Sequence, residues 1–101
     1  SITSHDSLLE CLVILSGLYG RPTTAASLKI GLPLEKEKLF TPNLFKRAAN
    51  RIKIDAEPIP KDFKAISADV LPCVLLLKDR DACILTELNK THAKVIFPEE
   101  S

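Results

Sequence analysis

Long hydrophobic runs are missing from this 101-residue chain. Its longest wholly apolar stretches, Cys11 to Leu15 and Cys73 to Leu77, are far shorter than the roughly 20 residues that cross a bilayer, so no direct membrane insertion is expected. Charge of one sign is missing too. Fourteen Lys and Arg against thirteen Asp and Glu leave a formal net charge of +1, which supplies no overall field toward nucleic acid or an anionic surface. Any partner must therefore be recognised locally, and no nucleic acid is expected among them. The three cysteines all lie in apolar segments, and an odd count argues against the disulfide framework of a small secreted domain. A reducing cytoplasm fits them best. With only two histidines in the chain they do not give metal-ligand spacing, so neither a metal nor another cofactor is expected in this domain. There is no internal repeat and no low-complexity linker, although Pro98-Glu99-Glu100-Ser101 resembles the start of one. No charged-then-apolar leader opens the chain, and beginning on Ser1 without methionine is expected of a trimmed chain.

What is present is a core. With 46% hydrophobic residues, the chain is long enough for residues 1–101 to form one compact domain with its own core and too short for two. Helical signals come first. Asp6 can accept from the free amides of a helix start, Ser7 and Glu10 stand in capping-box spacing, and Gly20 and Pro22 should stop the helix after about Leu18. Leu8, Leu9, Leu12, Val13, Ile14 and Leu15 wrap most of its circumference, the pattern of a helix buried on nearly all sides. Thr23 or Thr24 caps a short second helix with Ala25, Ala26, Leu28 and Ile30, ended by Gly31 and Pro33. After a charged connection from Leu34 to Phe40, Thr41-Pro42 starts a third helix through Leu44, Phe45, Ala48, Ala49 and Ile52.

From residue 53 the periodicity changes. Ile54, Ala56 and Ile59 are read as a strand that Pro58 and Pro60 either confine to a sheet edge or end abruptly, and Asp62 to Ile66 reads as a single helical turn. Val70 to Leu77 and Ala82 to Leu88 read as a hairpin around the polar Lys78-Asp79-Arg80-Asp81 turn. Asn89-Lys90 then leads into Thr91 to Phe97, where His92, Lys94 and Ile96 alternate with Ala93, Val95 and Phe97. The expected class is α+β, three helices packed on an antiparallel sheet of three or four strands.

Asp6-Ser7-Leu8-Leu9-Glu10-Cys11-Leu12 followed by Tyr19-Gly20-Arg21-Pro22 resembles the opening helix of the bacteriocin-processing cysteine peptidases, papain-like enzymes of peptidase family thirty-nine at the N-termini of ABC exporters. There the pattern runs Asp-Cys-Gly-x-Ala-Cys-Leu, then Tyr-Gly-x-Pro. The likeness continues through Arg21-Pro22-Thr23-Thr24-Ala25-Ala26-Ser27-Leu28, through the Ala48-Ala49 pair of the third helix and through Leu71-Pro72-Cys73-Val74-Leu75. It implies a papain-like fold. It also implies that Ser7 stands at the catalytic cysteine, Asp81 at the histidine and Phe97, before Pro98, at the aspartate. The oxyanion-hole glutamine, six residues before the nucleophile, would fall on Ser1.

Those substitutions remove what the chemistry needs. Thiolate attack requires a low-pKa sulfur beside an imidazole base, whereas a serine hydroxyl has a pKa far too high without a base of its own. Asp81 is a weak base and Phe97 cannot orient one by hydrogen bonding, so nucleophile, base and orienter fail together. Cys11, one turn after Ser7, is an alternative nucleophile if paired with His5 or His92. Against it, the family pattern also has a non-catalytic cysteine there, and burial among Leu8, Leu12 and Leu15 would raise its pKa. Cys11, Cys73 and Cys83 are expected to pack in the core, and His5 and His92 to be solvated.

The resemblance comes nearest to the degenerate peptidase-like domains of type I secretion ABC transporters of the haemolysin and large RTX adhesin type. It implies a domain on the cytoplasmic face of a bacterial inner membrane, part of a longer transporter with transmembrane and nucleotide-binding domains. Its implied partner is the unfolded, RTX-type secreted polypeptide. Such a chain would be met in a shallow apolar groove or along a sheet edge. Leu18, Tyr19, Leu76, Leu77 and Phe97 are the candidate groove residues, with ordinary packing as the competing reading for each. Two other functions stay open: an active leader peptidase with rearranged residues, and a docking domain that never meets substrate.

Overall fold

A computed structural model describes residues 6–33, 39–57, 65–78 and 81–98. The elements in chain order are α1 (Ser7–Leu18), α2 (Ala25–Lys29), α3 (Pro42–Arg51), a 3-10 turn (Ala68–Val70), then β1 (Cys73–Leu76), β2 (Ala82–Leu88) and β3 (Ala93–Ile96). The expected α+β architecture is therefore present, with the helices ahead of the strands.

Each helix starts where a side chain can serve an orphan amide. Asp6 Oδ1 accepts from Leu9 N–H at 3.2 Å, Thr24 Oγ1 from Ser27 N–H at 3.1 Å, and Thr41 Oγ1 from Leu44 N–H at 3.2 Å. Pro42 at the first position of α3 has no N–H to leave unpaired. Asp6 does more than cap. Its Oδ2 accepts from Phe40 N–H at 2.9 Å, tying the start of α1 to the segment that enters α3. At the other end, Arg21 Nη1 donates to the carbonyls of Ile52 at 3.4 Å and Lys53 at 2.6 Å, so the exit of α1 holds the exit of α3.

The sheet runs β1-β2-β3, both pairs antiparallel, with Leu76 opposite Ala82, Cys73 opposite Leu85 and Ile84 opposite Ile96; the β2–β3 ladder is irregular between Leu85 and Glu87. α1 is the central post. Leu8, Leu9, Cys11, Leu12 and Leu15 are buried in one cluster with Leu28, Phe40, Ala48, Ala49, Ile54, Ala82 and Ile84. Strand alternation turns Cys83 and Leu85, also buried, to the opposite face of the sheet, where Cys73 and Leu75 of β1 lie beside them.

Three expectations need correction. Residues 54–57 form no strand. Ile54 N–H instead donates to Ala49 O at 2.9 Å, and the Ile54 side chain is buried against the helices, so its apolar character closes the core behind α3. The strand expected from Val70 begins only at Cys73, because Val70 ends the 3-10 turn and Pro72 has no N–H for a ladder. The last strand is shorter than Thr91 to Phe97, since Asn89 Oδ1 accepts from the N–H groups of Thr91 (2.9 Å) and His92 (2.8 Å) and holds both in the turn. The expectations on Ser1, His5, the connection at 34–38, Ile59 with Pro58 and Pro60, the turn at 62–64, Asp79-Arg80 and the tail at 99–101 lie outside the described residues.

Candidate functional site

Ser7 is the first residue of α1 and only 4% exposed. The next residue, Leu8, lines a cavity of about 220 Å³ with Phe40, Pro42, Leu76 and Leu77. This places the start of α1 beside the end of β1. Leu77 N–H donates to Asp81 O at 2.8 Å, and Asp81 N–H to Lys78 O at 3.3 Å, so the turn between β1 and β2 fixes Asp81 at the same end of the sheet. With Ile96 opposite Ile84, Phe97 follows level with Cys83, again at this end. The topology thus gathers Ser7, Asp81 and Phe97 at one end of the domain.

They do not face one another as a set. Ile96 packs against the helical core, so alternation turns Phe97 to the outer face of the sheet, where it is 60% exposed. Asp81 is also exposed. Of the candidate groove residues, Leu76 (56% exposed) and Leu77 (41% exposed) meet at the cavity. Leu18 and Tyr19 are exposed as well, but they lie at the far end of α1, roughly 16 Å from Ser7 at the helical rise of about 1.5 Å per residue. The structure does not bring them to that cavity.

Three lining residues were not among the candidate groove residues: Leu8, Phe40 and Pro42. A signal for Phe40 existed. It directly precedes the cap Thr41 and stands in staple spacing to Phe45, and both belong to the core, Phe40 buried and Phe45 packed against it.

The thiols are placed for packing. Cys11 has no exposed surface, and its pKa is pushed up to about 12, first by burial and then by Cys83 and Glu10 nearby. Burial raises Cys73 and Cys83 as well, with Cys83 adding to the rise at Cys73. His92 is exposed in the β2–β3 turn, its Nδ1 2.7 Å from Thr91 Oγ1, at the opposite end of β2 from Asp81. That separation is roughly 20 Å at the strand rise of about 3.3 Å per residue. Neither a lowered thiol pKa nor an adjacent imidazole among the described residues supports Cys11 as a displaced nucleophile. Among the described residues no three His, Cys, Asp or Glu side chains gather as metal ligands, and no helix is long and apolar enough to cross a membrane.

No family model and no curated protein matches the chain. Among solved structures it is similar to the N-terminal peptidase C39-like domain of the toxin secretion ATP-binding protein from Vibrio parahaemolyticus. The two are 34% identical with a TM-score of 0.84, over 93% of this chain and 76% of that one.

Proposed function

The chain belongs to the peptidase C39-like domain family, and from that premise we propose that it is a non-catalytic N-terminal domain of a type I secretion ABC exporter that binds or positions the unfolded, RTX-type secretion substrate. In this reading residues 1–101 are one domain of a longer transporter. It works on the cytoplasmic face of a bacterial inner membrane, against the transporter's own transmembrane and nucleotide-binding domains, and carries no cofactor.

The observation that carries the reading is the pairing of a hydroxyl, Ser7, with an open apolar cavity at the same helix end. The position that the resemblance assigns to the base holds Asp81 rather than a histidine, while Leu8, Phe40, Pro42, Leu76 and Leu77 offer apolar surface to side chains of an extended polypeptide. Each side chain seated there gains about 2 kcal/mol, against which stands the cost of ordering the bound segment. A few such contacts give a weak hold with rapid exchange, which suits a chain that must be released for export. An active leader peptidase is disfavoured by the buried, high-pKa thiol of Cys11.

Leu77→Asp tests the cavity directly. Leu77 is exposed, so the fold should survive, while a carboxylate at the cavity wall should weaken binding of an unfolded RTX-type polypeptide about tenfold or more. Unchanged affinity in a fluorescence-anisotropy titration, or steady cleavage of a Gly-Gly leader peptide by the unaltered chain, would refute the proposal.

A further inference from the structure

A second, open cavity lies away from that end, at the corner between α2 and α3. Its volume is about 530 Å³, and it is lined by Ile30, Gly31, Leu32, Arg47, Asn50 and Arg51. Its polar groups come from one face of α3, since residues 47, 50 and 51 are spaced by three and four positions, while Ala48 and Ala49 turn into the core. No carboxylate of the described residues lines it. Arg51 is anchored: its Nη1 donates to the carbonyls of Leu28 and Ile30 at the end of α2, and Gly31, at φ 78°, turns the chain immediately beyond. This leaves the Nε and Nη2 hydrogens of Arg51 without an acceptor among the described residues. Arg47, one helical turn earlier and exposed, enters no hydrogen bond or ion pair among the described residues.

Two guanidinium groups at this spacing repel each other when nothing lies between them. An oxyanion placed there converts the repulsion into two charge-assisted contacts, with the planar donor forks suited to phosphate oxygens. The cavity also has an apolar side. Ile30 is 65% exposed, and half-buried Leu32 stands near it. We propose that this corner is a binding site for a phosphate ester, whose oxygens are held by Arg47, Asn50 and Arg51 while its organic part rests on Ile30 and Leu32. A small phosphorylated metabolite and a glycerophospholipid headgroup both present this chemistry. The site is separate from the apolar cavity at Leu8 and Leu77, and does not depend on polypeptide binding there.

Glycerol 3-phosphate is the soluble probe, titrated into the ¹⁵N-labelled 101-residue chain. Saturable amide shifts confined to Ile30–Leu32 and Arg47–Arg51 are expected, with affinity falling about tenfold in Arg47→Gln, the loss expected for one charge-assisted contact. Because Arg47 has no partner among the described residues, the variant should keep the spectrum of the rest of the chain. A second arm uses vesicles. Retention by phosphatidylglycerol but not phosphatidylcholine vesicles, reduced by Arg47→Gln, assigns the site to a lipid headgroup. Binding of glycerol 3-phosphate without vesicle retention assigns it to a free ester. No saturable shifts together with no Arg47-dependent vesicle retention, or corner shifts that persist undiminished in Arg47→Gln, would overturn the proposal.

Discussion

Cys11 shows how burial governs chemistry one residue at a time. Its thiol is pushed up from 9.0 to about 12, mainly by burial, so it stays protonated wherever the domain is folded at ordinary pH. Iodoacetamide at mildly alkaline pH should therefore modify half-buried Cys73 first and leave Cys11 untouched until the chain unfolds, as peptide mass spectrometry would show. The linkage sign follows from a folded pKa above the unfolded one. The stabilisation is complete below 9.0 and is lost as pH rises from there toward about 12, with Cys73 and Cys83 raised in the same direction. The thermal midpoint should fall across that window, less steeply in Cys11→Ala. Ser7→Cys should leave the chain unable to cleave a Gly-Gly leader peptide in a long incubation, since position 81 holds an aspartate rather than a histidine to activate the introduced thiol. The resemblance singled out Ser7, Asp81 and Phe97. The direction of Phe97 was not legible, because Ala93, Val95 and Phe97 form the more apolar set of the last strand, yet Ile96 is the residue that meets the helices.

Elements were legible where the signal is local. Asp6, Thr24 and Thr41 with Pro42 mark the three helix starts by side-chain chemistry within a few residues, and each cap bond forms. The reach of Asp6 across to Phe40 is a contact between distant segments that no local pattern encodes. It makes Asp6→Ala costly. About 1 kcal/mol for the lost cap and a further 1.5 kcal/mol or more for the charge-assisted bond to Phe40 N–H should appear in urea unfolding as a total of about 2 to 3 kcal/mol. Ile54 and Ala56 were misjudged for the same reason. Alternation over three positions does not distinguish a strand from a helix exit that folds its apolar residues back onto the core, and the Ala49–Ile54 backbone bond decides for the latter.

At the scale of the whole molecule, one post helix, two shorter helices and a three-stranded sheet suffice to bring the start of α1, the end of β1 and the start of β2 to a common edge. At that edge Leu8, Phe40, Pro42, Leu76 and Leu77 line an apolar cavity, while Phe97 points to the outer face of the sheet and Asp81 is exposed. The fold class was readable because helices precede strands in the hydrophobic periodicity. The cavity was not, since Leu8, Phe40 and Leu76 meet only through tertiary packing. Whether that cavity holds a polypeptide is best answered by titrating the ¹⁵N-labelled chain with an unfolded RTX-type secretion substrate. Saturable shifts centred on Leu8, Phe40, Leu76 and Leu77, with the substrate left intact, are the predicted result. An absence of saturable shifts, or processing of the substrate during the titration, would contradict it.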